Sequence, residues 1–348
     1  MAVGERGPGL NVAILGHSHD GKTTLAESLL FASGASARLG STDQGTSLLD
    51  YEPEEQRRHI SVQLALAPLR WLDRDVTLVD TPGFQDFEGE VLEALSIADA
   101  AVLVVGAGSG GELPVGAESG WDHLAERHLP RLIVISKLDK EHADFAATYA
   151  ALQRRLSPKP IAVQVPIGAE HDFRGAVDLL SSKVWLFDGR GGCKEGECPH
   201  ELAAEVAGRR QELVEAVAET DDQLLERYLD GQEPAPEELL GALRRATAAG
   251  TLTPVLVTAA ARAQGAALVL DALVSCVEQL GGSSDGSGPP TLYVFKTVAD
   301  PFGKISLFRV LGGQLQGDVH LVNVRTGHEE RIARPLRPKG KALENVER

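Results

Sequence analysis

Over the first half of the chain, short runs of aliphatic and β-branched residues alternate with stretches whose apolar positions recur at helical spacing. NVAIL (11–15), VTLVD (76–80), AVLVV (101–105) and RLIVIS (131–136) carry almost no polar alternation. Strands of that kind are covered on both faces, which predicts a mainly parallel sheet with helices on each side. TTLAESLLFASGA, from Thr23, has the periodicity of a helix that follows the first strand. IAVQVPIG (161–168) predicts one more strand, DGRGGCKEGECPH a Gly/Cys-rich loop, and ELAAEVAGRRQELVEAVAE a helix packed through one face. The strand–helix pattern resumes with LTPVLVT and AALVLDALVSCVEQL. Residues 11–157 and 251–280 therefore read as one α/β unit, with 158–250 as an inserted α+β subdomain. Residues 1–10 read as a flexible N-terminus, and GGSSDGSGPP (281–290) has the composition of a linker. Beyond it, TLYVFKTV and KISLFRVL flank a turn at ADPFG and VHLVNV follows, so 291–348 predicts the start of a β-barrel.

Composition narrows the function classes. The 348 residues are 43% hydrophobic and 24% charged, enough for a sizeable core and more than one compact unit. Lys plus Arg is 34 against 50 Asp plus Glu, a net charge of −16, which argues against binding free nucleic acid through a broad basic face. No apolar run reaches the roughly 18 residues of a membrane span, and MAVGERGPGL lacks an apolar signal core. With three Cys, an odd number, a disulfide framework is not expected, and the reading is a cytoplasmic protein without membrane attachment.

The chemistry concentrates where strands end. Gly16-His17-Ser18-His19-Asp20-Gly21-Lys22-Thr23 fits GxxxxGK[ST] between a predicted strand and a predicted helix. Backbone N–H groups of such a loop face a polyphosphate, with Thr24 following on the helix; Lys22 reaches the β and γ phosphates, and the Thr23 hydroxyl ligates magnesium. Asp80-Thr81-Pro82-Gly83 ends another strand; Asp80 can hold the magnesium shell through water, and the Gly83 N–H can sense a γ phosphate. Ser61 can add a second hydroxyl to the metal. Ser136-Lys137-Leu138-Asp139 can read guanine, because a carboxylate accepts from both N1–H and the 2-amino group while the Lys137 stem lies along the base. Thr258-Ala259-Ala260 can offer backbone N–H groups to guanine O6. The glycines of Gly106-Ala107-Gly108-Ser109-Gly110-Gly111 match GxGxxG, but ELPVG does not open a helix there, so the reading is a strand-end loop. Cys193, Cys198 and His200 offer three ligands in a polar loop, short of a closed structural zinc site. His123 and His128 read as surface histidines.

In this order and spacing these motifs resemble a translational GTPase, and more closely elongation factor G and its paralogues. DTPGFQDFEGE is similar to the family's DTPGHVDFTxE. LPVGAESGWDHL, VPIGAEHDFRGAVDLL, ERYLDG and VFKTVADPFGKISLFRV extend the likeness over essentially the whole chain. The resemblance implies a P-loop NTPase fold binding GTP or GDP with Mg²⁺. It also implies a monomer whose partner is the ribosome at the large-subunit GTPase-associated region, and a role in translocation. The family continues into further domains, so a truncated sequence is expected. Several positions depart from the pattern. The family His that orients the attacking water is Phe84 here, and the Asp of its phosphate loop is His19. The switch Thr becomes Ser61 and the Gly before the Ile becomes His59. The base-reading Asn becomes Ser136, and the Ser of the last loop becomes Ala259. Nucleotide binding is expected to survive these changes and hydrolysis to be slowed. The alternative is a nucleotide-binding switch with little GTPase activity and no direct role in elongation.

Overall fold

In a computed structural model of the chain, the described residues are 9–108, 110–277, 288–300, 303–315, 318–332 and 335–346. Most of the predicted N-terminal segment and linker, Ser109 of the glycine cluster and the tip of the ADPFG turn lie outside them. The elements run β1 (Leu10–Gly16), α1 (Lys22–Ala32), α2 (Pro53–Arg58), β2 (Ala65–Trp71), β3 (Arg74–Asp80), α3 (Glu88–Ile97), β4 (Ala100–Gly106), α4 (Val115–Glu126), β5 (Arg131–Ser136), α5 (Phe145–Arg155) and β6 (Pro160–Ala162). They continue through β7 (Gln164–Ile167), β8 (Gly175–Asp178), β9 (Val184–Phe187), β10 (Cys193–Gly196), α6 (Ala203–Ala218), α7 (Asp222–Leu229), α8 (Pro236–Ala248), β11 (Thr253–Val257) and α9 (Ala266–Cys276). Six strands close the order: β12 (Thr291–Asp300), β13 (Gly303–Gly312), β14 (Val319–Val322), β15 (Glu329–Ile332), β16 (Leu336–Lys339) and β17 (Ala342–Asn345).

The main sheet has the order β2-β3-β1-β4-β5-β11-β6; only the β2–β3 pair is antiparallel. Every residue of β4, β5 and β11 is buried, as continuous apolar runs require of strands covered by helices on both faces. The parallel strands β1, β3, β4, β5 and β11 all point their C-terminal ends to one edge, which gathers residues 16, 80, 106, 136 and 258. Ligands bind at that edge in open α/β sheets.

IAVQVPIG divides between two sheets. β6 pairs with β11 at the edge of the main sheet, and β7 begins a separate antiparallel sheet of order β10-β9-β8-β7. Val163 sits at the crossover, its N–H on Val255 O. After Gly111 the chain does open a helix, unlike the expectation: Pro114 is the N-cap of α4 rather than an obstacle in its first turn, a place where proline costs no hydrogen bond. Helix α4 stops at Glu126, so His128 lies beyond it; His123 Nε2 meets Glu88 Oε1 at 2.8 Å. Among the described residues of 291–348, β12–β13, β14–β15 and β16–β17 form three separate two-stranded antiparallel sheets, the opening strands of the expected barrel without its closure. The β12–β13 pair docks on the α/β unit through its cations: Lys296 on Glu90 and Glu93, and Arg309 on Ile97 O (2.6 Å) and Asp99 Oδ1 (2.5 Å).

Candidate nucleotide site

The phosphate loop is shaped by what glycine alone permits. Gly16 has φ 145°, and a Cβ there would stand 2.2 Å from Val104 O on β4. The loop turns back through His19 and Gly21, both left-handed, into α1, whose first-turn N–H groups lack intrahelical acceptors. Lys22 is buried and its Nζ donates to His17 O at 2.8 Å. Burial pushes its ammonium below the ordinary lysine range, with Asp80, Asp20 and Asp50 pulling the other way. Gly83 crosses directly over this loop: a Cβ on it would lie 2.2 Å from Lys22 Nζ and 2.7 Å from Ser18 N. Phe84 follows, 36% exposed, its ring edge-to-face with that of His19 at 5.9 Å between centroids. Thr24 is half-buried at the next position of α1.

Beside Lys22 lies a cluster of oxygens. Thr23 Oγ1 donates to Asp80 Oδ2 at 2.7 Å and stands 3.1 Å from Ser61 Oγ, which donates to Asp50 Oδ1 at 2.8 Å. With each hydroxyl proton directed at a carboxylate, the two hydroxyl oxygens face each other with lone pairs. Asp80 Oδ1 is buried with no hydrogen-bond partner. Burial first, then the Asp50 charge, pushes the Asp80 carboxyl up to about 8. Two hydroxyls, two carboxylates and an orphaned buried oxygen fit a hard cation that takes oxygen ligands, as Mg²⁺ does. Sequence reasoning missed Asp50. Its signal is an apolar run ending in Asp, Leu48-Leu49-Asp50, the same form as Leu78-Val79-Asp80.

At the other end of the loop, the base-reading candidates converge, with changed roles. Ser136 is buried and its Oγ donates to Asp20 O at 2.5 Å, so it ties the phosphate loop to the end of β5 instead of facing a base. Asp20 is itself buried, with Oδ2 unpartnered, and burial raises its pKa. The Lys137 stem lies against Gly21 and Gly106, 3.8 Å from where their Cβ atoms would be. Asp139 has its side chain 5% exposed, Oδ1 unpartnered and Oδ2 3.4 Å from Arg262 Nε, a neighbour the sequence did not suggest. Thr258 N–H and C=O are taken by Ile135 O and Leu138 N, and its Oγ1 is buried without a partner. Ala259 N–H is spent on Gln264 O, which leaves that of Ala260 as the candidate donor to O6. Among the described residues no group of three or more His, Cys, Asp or Glu side chains is arranged to hold a metal ion, so Cys193, Cys198 and His200 do not converge on one.

A glycine-shaped loop over a helix start, an oxygen cluster at its lysine and a buried carboxylate at the far end define a phosphate- and base-binding α/β domain. The model of the elongation factor Tu GTP-binding domain matches residues 8–279, and the chain belongs to that family. It is similar to elongation factor G of Thermotoga petrophila, 36% identical over 344 residues, and of Thermotoga maritima, 35% identical over 344 residues. In both cases the match covers 93% of this chain and 49% of the relative. A crystal structure from Thermus thermophilus superposes with a TM-score of 0.86 at 35% identity, covering 97% of this chain and 50% of that one. The chain thus spans about half the length of the relatives it matches. Among the described residues no helix is long and apolar enough to cross a membrane.

Proposed function

We propose that this chain binds GTP and GDP with Mg²⁺, and is the nucleotide-binding part of a monomeric, cytoplasmic factor related to elongation factor G. That factor acts on the ribosome, at the large-subunit GTPase-associated region, in or near translocation. The observation that carries the reading is the meeting of Lys22, Thr23, Ser61, Asp80 and the Gly83 backbone at one end of the phosphate loop, with Lys137 and Asp139 at the other. Lys22 would exchange His17 O for phosphate oxygens; Thr23 and Ser61 would hold the cation directly, with Asp80 and Asp50 on its water shell. Asp139 would accept from guanine N1–H and the 2-amino group, and the free Ala260 N–H would reach O6. Hydrolysis would be slow, because Phe84 offers an apolar ring where the resemblance expects an imidazole.

Calorimetric titration with GDP and a non-hydrolysable GTP analogue tests binding. Wild type should bind both with Mg²⁺, and Lys22→Ala should abolish detectable binding by removing the point charge on the phosphates. Unchanged affinity in that variant refutes the assignment. Phe84 and His19, standing where the resemblance expects a His and an Asp, favour a second reading, a nucleotide switch that hydrolyses little and has no direct role in elongation. Ribosome-stimulated phosphate release separates the two.

A further inference from the structure

Glu27 is the one acid in LAESLLFA of α1, four residues after Thr23, and it is 1% exposed. A carboxylate is buried at a cost that only hydrogen bonds offset. Its Oε1 takes three: Ser47 Oγ at 2.6 Å, Leu48 N at 2.5 Å and Leu49 N at 3.1 Å. Ser47 Oγ in turn accepts from Leu49 N and Asp50 N, both at 3.1 Å. Asp50 then holds Ser61, and Ser61 meets Thr23. The path from Glu27 to the cation cluster is therefore continuous in hydrogen bonds as far as Ser61, whose hydroxyl oxygen stands 3.1 Å from Thr23 Oγ1 on α1. On its other side the turn between β16 and β17 lies against the segment: Gly340 N donates to Leu66 O of β2 at 2.8 Å, and a Cβ on Gly340 would stand 2.0 Å from Leu48 O.

We infer that Glu27 is a positioning residue: by fixing residues 47–50 to the helix that carries Thr23, it sets Asp50 and Ser61 at the distance the cation requires. The inference rests on the nucleotide reading proposed above. Glu27 touches neither nucleotide nor cation and acts through Ser47 and Asp50. The second carboxylate oxygen offers an independent handle. A Cβ on Gly40 would lie 2.2 Å from Glu27 Oε2, and the Gly40 backbone is not left-handed, so Gly40→Ala acts on the carboxylate rather than on φ.

The test uses the whole chain in five forms: wild type, Glu27→Ala, Glu27→Gln, Gly40→Ala and the Glu27→Ala/Gly40→Ala double variant. Two quantities are read. One is hydrogen exchange of the peptide covering 44–52 without nucleotide. The other is the Mg²⁺ concentration giving half-maximal binding of a fluorescent GDP. Losing bonds to a charged acceptor should speed exchange at Leu48 and Leu49 at least about tenfold in Glu27→Ala and raise the Mg²⁺ half-point by about the same factor. Glu27→Gln keeps the Oε1 acceptor and should stay within about twofold of wild type in Mg²⁺ response. Gly40→Ala should behave like Glu27→Ala and add nothing to it in the double variant, since the clash it makes is then gone. Wild-type exchange in Glu27→Ala, an unchanged Mg²⁺ half-point, or additive effects in the double variant would overturn the inference. Failure of wild type to bind guanine nucleotide defeats the nucleotide reading instead, and the exchange measurement still judges whether Glu27 fixes residues 47–50.

Discussion

Replacing Phe84 by His is the sharpest probe of the proposed chemistry. Phosphoryl transfer needs a water in line with the γ phosphate, and most of the catalysis is positioning and electrostatics. Gly83 lies against Lys22 and Ser18, so residue 84 stands at the rim of the phosphate end. Phe84 brings no donor or acceptor there. A group that orients or deprotonates the nucleophile contributes about 10²–10⁴ in rate, or about 3–5 kcal/mol of barrier. The substitution is also structurally mild. Phe84 is 36% exposed and outside the core, and among the described residues its one aromatic contact is the edge-to-face pair with His19. Such a pair is worth about 1 kcal/mol, and an imidazole retains part of it. We therefore expect Phe84→His to keep GDP affinity and lower stability by at most about 1 kcal/mol. Single-turnover phosphate release with ribosomes should rise by about 10² or more. The assay follows released phosphate from γ-labelled GTP, with and without ribosomes, in a chain carrying all the domains its relatives have. Fast wild-type hydrolysis that is indifferent to residue 84 would refute the reasoning. Loss of that hydrolysis in His19→Ala would move the chemistry to the phosphate loop.

Three further outcomes are expected. Asp139→Asn exchanges an acceptor for a donor, so preference should pass from GDP to XDP, with discrimination on the order of 10⁴ for a polar mismatch; competition binding that still favours GDP would misplace the base site. Cys276 is 2% exposed and burial pushes its thiol up to about 11, so at pH 8 only about one in a thousand molecules carries the thiolate. Iodoacetamide followed by mass spectrometry should label exposed Cys198 and spare Cys276 until the chain unfolds. Asp271 has a carboxyl pKa raised above 3.8 by burial, opposed by the Trp71 Nε1–H donated to it at 2.8 Å and reinforced by Asp178. The sign follows: a raised acid favours the fold when protonated, and that contribution is lost as pH rises through the folded value. Asp271→Asn keeps an acceptor for Trp71, so its melting temperature should exceed wild type at pH 7 and the gain should shrink towards pH 4. A gain independent of pH would exclude the carboxylate as its source.

What the sequence discloses and what it withholds divide along one physical line. Periodicity and glycine placement are local, so β1, the loop 16–21, α1 and the carboxyl-end motifs at 80 and 136 are legible before folding. The middle of the site is not. Residues 38–64 carry little regular pattern, yet carboxylates pin them at three places: buried Glu27 on 47–49, buried Glu55 on Glu52, Val62 and Gln63, and half-buried Glu90 on Leu64. Glu27 and Glu90 act on partners about twenty residues or more away, and no local rule links an acid to N–H groups that only the fold brings to it. A weak signal existed in composition: a lone acid within an apolar helix, as in LAESLLFA, is either exposed or tightly bonded. Ser136 makes the same point from the other side. Its position predicts a base contact, but a hydroxyl is shorter than the amide of the Asn that the resemblance expects, and it is spent on Asp20 O instead. The two departures from the motif pattern that bear most on hydrolysis, His19 and Phe84, lie 65 positions apart in sequence and touch in the fold. Read separately, each removes a polar group from its expected place. Together they put an imidazole on the phosphate loop, edge-to-face with the apolar ring that stands at the strand-end motif. That contact makes the His19 and Phe84 variants informative as a pair: if the imidazole acts, Phe84→His should compensate for His19→Ala, and if it does not, the two changes should be independent.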